Sequence, residues 1–288
     1  MSNSNIVITS DSTTDLSVEL RERYNISILP MGITLGEKLY MDNGVDITPE
    51  MIYEHHSKTG ELPKTNATNY ADCCDFFKPF VDQGKTVIHF TISGEMSSTY
   101  NNARMAAEEF ENVYVIDSRN LSTGGGLLLI AAAEMAESGM EASEIVKKLE
   151  DLVHCSDASF VIDNLEYLHK GGRCSALAAL GANLLKLKPC IQVKDGKMGV
   201  VKKYRGKYGD VLKEYVKDKL ADIEDIEPSH VFVTHAGCDM EIVNAVVEQV
   251  KSYNYFENLH LTRAGCTVSS HCGKDTLGVL FIRKSPIK

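Results

Sequence analysis

Short apolar runs broken by polar clusters recur along the chain, and their lengths separate strands from helices. Ile6-Val7-Ile8 runs into a polar cluster, Thr9 to Asp15. That cluster ends a buried strand and offers N-caps to a helix over residues 16–24. Residues 26–29 read as a second strand closed by Pro30, and Thr48-Pro49 as the cap and first residue of another helix. Residues 86–93 predict a strand, 100–110 a helix, 113–116 a strand and 124–137 an Ala/Leu-rich helix. Parallel strands joined by crossover helices give this alternation, so the chain reads as a doubly wound α/β sheet through about residue 158.

The pattern changes after Lys170-Gly171-Gly172-Arg173, where an almost uncharged helix is expected through residue 187. Residues 191–193 and 198–201 flank Lys194-Asp195-Gly196-Lys197, in which Asp-Gly is a strong two-residue hairpin signal. A helix over 208–220, a strand over 230–235, a helix over 240–253 and strands over 259–263 and 278–282 follow. The expected architecture is therefore α/β: a doubly wound, mostly parallel sheet domain (1–158), then a smaller α/β sandwich domain with a mixed sheet (159–288). Segments exchanged between the two are compatible with the pattern, and no internal repeat is evident.

Composition narrows the function. The 288 residues carry 30 Lys and Arg against 40 Asp and Glu, a net charge of −10 that opposes unspecific attraction to nucleic acid or anionic lipid. The longest apolar stretch, residues 127–133, is too short for stable insertion in a bilayer, which needs about 20 residues. No basic segment precedes the first apolar run, so the expectation is a cytoplasmic protein, acting as a monomer. The eight cysteines are expected as reduced thiols; with no C-x-x-C pair, neither a metal nor another cofactor is expected.

Candidate chemistry gathers at a few places. Ser93-Gly94-Glu95-Met96-Ser97-Ser98-Thr99-Tyr100 follows a strand and opens a helix, where unpaired amides and hydroxyls can hold a carboxylate or phosphate without a lysine. The same serines also suit plain capping. Pro63 to Thr68 reads as a polar loop, and Gly124-Gly125-Gly126 as close packing of helix on sheet. His55-His56 lacks metalloprotease spacing, and Cys73-Cys74 reads as packing. His271, in the small polar stretch Ser269 to Gly273, is expected in a loop, as a mobile imidazole or a turn histidine. Residues 186–218 hold ten Lys or Arg against four acids, a docking face for something acidic or a solvated surface. Arg173 and Arg205 each adjoin glycine, where a guanidinium can grip phosphate bidentately.

Several of these segments together resemble the DegV family of bacterial fatty-acid-binding proteins, over essentially the entire chain. Asp11-Ser12-Thr13-Thr14-Asp15-Leu16 is similar to its D-S-x-x-D-L opening, Tyr40-Met41-Asp42 to Y-x-D, Pro63-Lys64-Thr65 to P-K-T-S and Ser97-Ser98-Thr99-Tyr100 to S-G-T-Y. Leu165 to Arg173 resembles L-x-Y-L-x-x-G-G-R, Lys188-Pro189 the following K-P, Lys203-Tyr204-Arg205-Gly206 K-x-R-G, and His271-Cys272-Gly273 the terminal H-x-G. The chain departs from the family at Ser98, Asn66 and Lys274-Asp275.

The resemblance implies a carrier and not a catalyst. A long-chain fatty acid would lie in an apolar tunnel, its carboxylate held by Thr65 and Ser97 with Ser98 and His271 beside it. A separate ATP-dependent fatty acid kinase would convert that carboxylate to an acyl phosphate, meeting the carrier at Arg173 and Arg205. A competing reading is a serine acyl hydrolase or acyltransferase with Ser97 as nucleophile and His271 as base. It lacks the G-x-S-x-G elbow and a nameable orienting acid.

Overall fold

The computed structural model describes residues 5–174 and 187–287. Its first strand, β1 (Ile6–Asp11), is followed by α1 (Val18–Arg23), which Ser17 Oγ caps by accepting from the Leu20 amide, and by β2 (Ser27–Leu29). A hairpin of β3 (Gly32–Leu35) and β4 (Lys38–Met41) leads to α2 (Pro49–Thr59), capped by Thr48 with proline at its first position. Then come β5 (Lys64–Asn66), α3 (Tyr70–Val81, opened by an Asn69/Asp72 capping box), β6 (Thr86–Thr91), α4 (Thr99–Ala107) and β7 (Val113–Asp117). Next are α5 (Ser122–Glu137), α6 (Ala142–Leu152), β8 (Ser156–Ile162) and α7 (Glu166–Gly171). The remainder is β9 (Lys188–Lys194), β10 (Lys197–Tyr204), α8 (Tyr208–Lys219), β11 (Ile226–Ala236), α9 (Met240–Lys251), β12 (Asn258–Arg263), α10 (Cys266–Cys272) and β13 (Thr276–Arg283).

Two main sheets result. One is all parallel in the order β2-β1-β6-β7, as crossover helices require. The other, β10-β9-β8-β13-β11-β12, is mixed: only β11 and β12 run parallel within it. Residue 158 falls within β8, the third strand of that sheet. A small antiparallel sheet, β4-β3-β5, was not expected. It makes Pro63 to Thr68 a short edge strand and not only a loop, because the backbone of residues 64–66 pairs with β3. The nearly uncharged helix expected before residue 187 lies outside the described residues, as does Lys186.

Helix α5 joins the two halves. It is apolar around most of its circumference and packs on β1 and β6 of one sheet and on β8, β11 and β13 of the other. The glycine run makes that approach possible: a Cβ on Gly124 would stand 2.8 Å from the Ala158 Cβ, and one on Gly126 2.8 Å from Leu16 Cδ2. The β9–β10 hairpin turns through Asp195 and Gly196, both at positive φ, and its tip meets the first half. There Ser93 Oγ donates to the Gly196 carbonyl at 2.8 Å.

Candidate functional site

Where the parallel sheet, the small sheet and α10 meet, a cavity of about 510 Å³ opens. Its polar lining includes Thr65, Ser97, Ser98, Arg173 and His271, five of the six residues singled out from sequence. Arg205 does not line it; it stands exposed just beyond β10. Met31, Ile92, Met96, Leu121, Met198, Val268 and Cys272 supply apolar walls. Leu121, Val268 and Cys272 also border a narrow recess between α5, α10 and the mixed sheet, walled by Phe160, Ala236, Ala264 and Leu280.

His271 corrects the sequence reading. It belongs to the last turn of α10, not to a loop, and packing fixes the ring instead of leaving it mobile. Its Nε2 shares a 2.9 Å hydrogen bond with Thr65 Oγ1 across 206 residues of sequence. Thr65 reaches it because β5 pairs with β3, placing Thr65 opposite Ile33. The His271 Nδ1 is enclosed without a hydrogen-bond partner among the described residues. Burial, then the nearby Arg173 guanidinium, pushes the imidazole down to about 4, so it is neutral at pH 7.

The Gly171-Gly172-Arg173 turn closes one side. A Cβ on Gly171 would lie 2.8 Å from His271 Nδ1, so only glycine lets the end of α7 approach the ring. Gly172 takes the left-handed conformation that ends α7, with φ 69°. Arg173 is exposed and donates from Nη1 to the Gly171 carbonyl at 2.7 Å, so it braces the turn as well as lining the cavity.

Ser97 and Ser98 stand at the start of α4. Ser97 Oγ accepts from the Thr99 amide at 3.2 Å and shares a 2.9 Å bond with Thr99 Oγ1. A local hydrogen bond and cavity lining therefore coexist at Ser97, while Ser98, the N-cap position of α4, makes no side-chain cap bond and is exposed at the cavity edge. Ser97 is not paired with His271, and the imidazole's other nitrogen has no acid partner among the described residues. The nucleophile–base arrangement of a serine hydrolase is not assembled here.

Sequence reasoning missed what holds these walls. Asp42 accepts from the Cys266 and Thr267 amides at 3.1 and 2.9 Å and from Thr267 Oγ1 at 2.6 Å, anchoring the first turn of α10. Asp15 accepts from the Gly265 amide at 2.8 Å, and Ser122 Oγ lies 2.5 Å from its other oxygen. Asp11 accepts from the Ile92 amide at 2.8 Å and from Thr13. All three carboxyls are buried, and desolvation raises Asp11 and lifts Asp15 to about 8. The only sequence signal was their place in the D-S-x-x-D-L and Y-x-D segments.

Residues 5–284 match the family model of the uncharacterised DegV proteins. The chain belongs to the DegV family. A DegV domain-containing protein of Clostridium perfringens is 31% identical over 286 residues, covering 97% of this chain and 99% of that one. Among solved structures, a fatty-acid-binding DegV family protein from Thermus thermophilus is 27% identical with a TM-score of 0.88, covering 96% of this chain and 99% of its own. A stearic-acid-binding protein from Eubacterium ventriosum is 29% identical with a TM-score of 0.80, covering 96% and 98%. DegV from Bacillus subtilis, a fatty-acid-binding protein, is 26% identical with a TM-score of 0.85, covering 98% and 100%. Two groups of DegV motif residues meet at this cavity: Thr65, Ser97, Arg173 and His271 line it, and Asp11, Asp15 and Asp42 hold its walls. No helix among the described residues is long and apolar enough to cross a membrane.

Proposed function

We propose that this DegV protein binds a long-chain fatty acid with the carboxylate at Thr65, Ser97, Ser98 and His271 and the tail among the apolar walls. The observation that carries the reading is the cavity itself: hydroxyls and an imidazole converge at one side, and an apolar recess continues from Leu121, Val268 and Cys272. Its volume of about 510 Å³ falls within the roughly 300–1,000 Å³ of small-ligand sites, and the fatty-acid-binding relatives favour this ligand class. A bound carboxylate would accept from Thr65 and Ser97 and, with a proton on His271, from the ring as well.

The protein then acts as a carrier, presenting the carboxylate to a separate ATP-dependent fatty acid kinase that forms the acyl phosphate. Phosphoryl transfer spreads charge over the transferred group, and cations beside it stabilise that charge. Arg173 lines the cavity and Arg205 is exposed on the basic segment, so both are available to phosphate. The test uses delipidated protein loaded with palmitate, the kinase and ATP, with hydroxylamine trapping of acyl phosphate. Product should require the carrier, and Arg173→Ala or Arg205→Ala should lower it about tenfold, equivalent to about 1.4 kcal/mol of transition-state stabilisation, with palmitate affinity little changed in Arg205→Ala, which lies outside the cavity lining. Equal product from free palmitate, or wild-type turnover in both variants, would reject presentation at this face.

A further inference from the structure

At the carboxyl ends of the parallel strands β11 and β12 lies a second cavity, of about 410 Å³, that shares no lining residue, among the described residues, with the one described above. Ligands of α/β sheets gather at such strand ends. Glu50, Tyr53, His235, Arg263 and Lys274 line it, together with the loop that leads into α9. His235 is only 7% exposed, and its Nδ1 is enclosed with no hydrogen-bond partner among the described residues. Arg263 is its neighbour across the β11–β12 ladder. Gly237, at φ 66°, lets the walls close: a Cβ there would stand 3.1 Å from Tyr53 Cε2 and 3.2 Å from Lys274 Cγ.

The lining is rich in donors and poor in acceptors. Arg263 presents a planar fork, already engaged on one side by Glu50, and Lys274 forms no ion pair among the described residues. The other nearby carboxylates are Asp239, which caps α9, and Asp275, which feels the Lys274 charge. A ligand that accepts everywhere and donates nowhere satisfies this wall, and a tetrahedral oxyanion matches a guanidinium fork, an ammonium and an imidazole N–H together. We propose that this cavity binds a small phosphate, free or as a monoester. The site does not depend on the acyl-binding reading.

The test follows the imidazole resonances of the delipidated full chain by NMR during titration with inorganic phosphate, methyl phosphate and acetate. One ring, absent from the spectrum of His235→Asn, should shift saturably with phosphate or methyl phosphate, and Arg263→Gln and Lys274→Gln should each weaken the response about tenfold. Stronger binding of methyl phosphate assigns a monoester, and equal binding assigns the phosphate group alone. A linear response, an unchanged affinity in both variants, or acetate binding as well as phosphate would overturn the proposal. Should His235→Asn fail to fold, the Arg263 and Lys274 variants carry the test, since both side chains are exposed.

Discussion

His271 is neutral near pH 7 because burial and then Arg173 push it down to about 4, and a carboxylate beside the ring would act in the opposite direction and raise it. In the empty protein the folded-state value lies below the ordinary 6.5, so the ring's contribution to stability is present above that pH and lost as pH falls toward 4. Loading with palmitate should raise the ring's titration midpoint, read by NMR on empty and loaded protein; an unchanged midpoint would place the carboxylate elsewhere. Thr65→Ala and Ser97→Ala should each weaken fatty-acid binding by about 1–3 kcal/mol in a calorimetric titration, the cost of losing a hydrogen bond to a charged group. Ser97→Ala also removes the hydroxyl that accepts from the Thr99 amide, so its melting temperature should fall further than that of Thr65→Ala. The residue types were readable in the sequence, but their convergence was not. Thr65 and His271 share a hydrogen bond across 206 residues, a pairing that no local spacing encodes.

Short elements set by their neighbours do the positioning. The seven-residue α10 carries Thr, Val, two Ser and His, all weak helix formers, which is why sequence placed His271 in a loop. Asp42 stabilises the helix from another part of the chain by holding its first amides. Asp42→Ala leaves those buried donors unpaired and should cost about 1–3 kcal/mol in denaturant unfolding. It should also weaken acyl binding by displacing His271, whereas a stability loss with unchanged binding would limit Asp42 to a folding role. The three-residue β5 has the same character: Lys-Thr-Asn has little strand preference, and pairing with β3 decides its conformation. The glycine run in α5 and the Asp-Gly hairpin were legible because their chemistry is local.

At the scale of the molecule, the alternation of apolar strands and helices made the parallel sheet legible, since parallel pairing imposes crossover helices, whereas β8 of the mixed sheet was not among the expected strands. It gave no sign of β4-β3-β5, whose half-exposed strands lack a continuous apolar face. Yet this small sheet carries Thr65 to the cavity, and α5 and the β9–β10 hairpin bring the two halves together around it. The cavity is expected to hold an acyl chain. Organic extraction and mass spectrometry of gently purified protein, followed by titration of the delipidated chain, test it most directly. A stoichiometric long-chain fatty acid is expected in the extract, with saturable rebinding that weakens in Thr65→Ala and Ser97→Ala. An extract without any acyl chain, together with no fatty-acid binding after delipidation, would contradict that expectation.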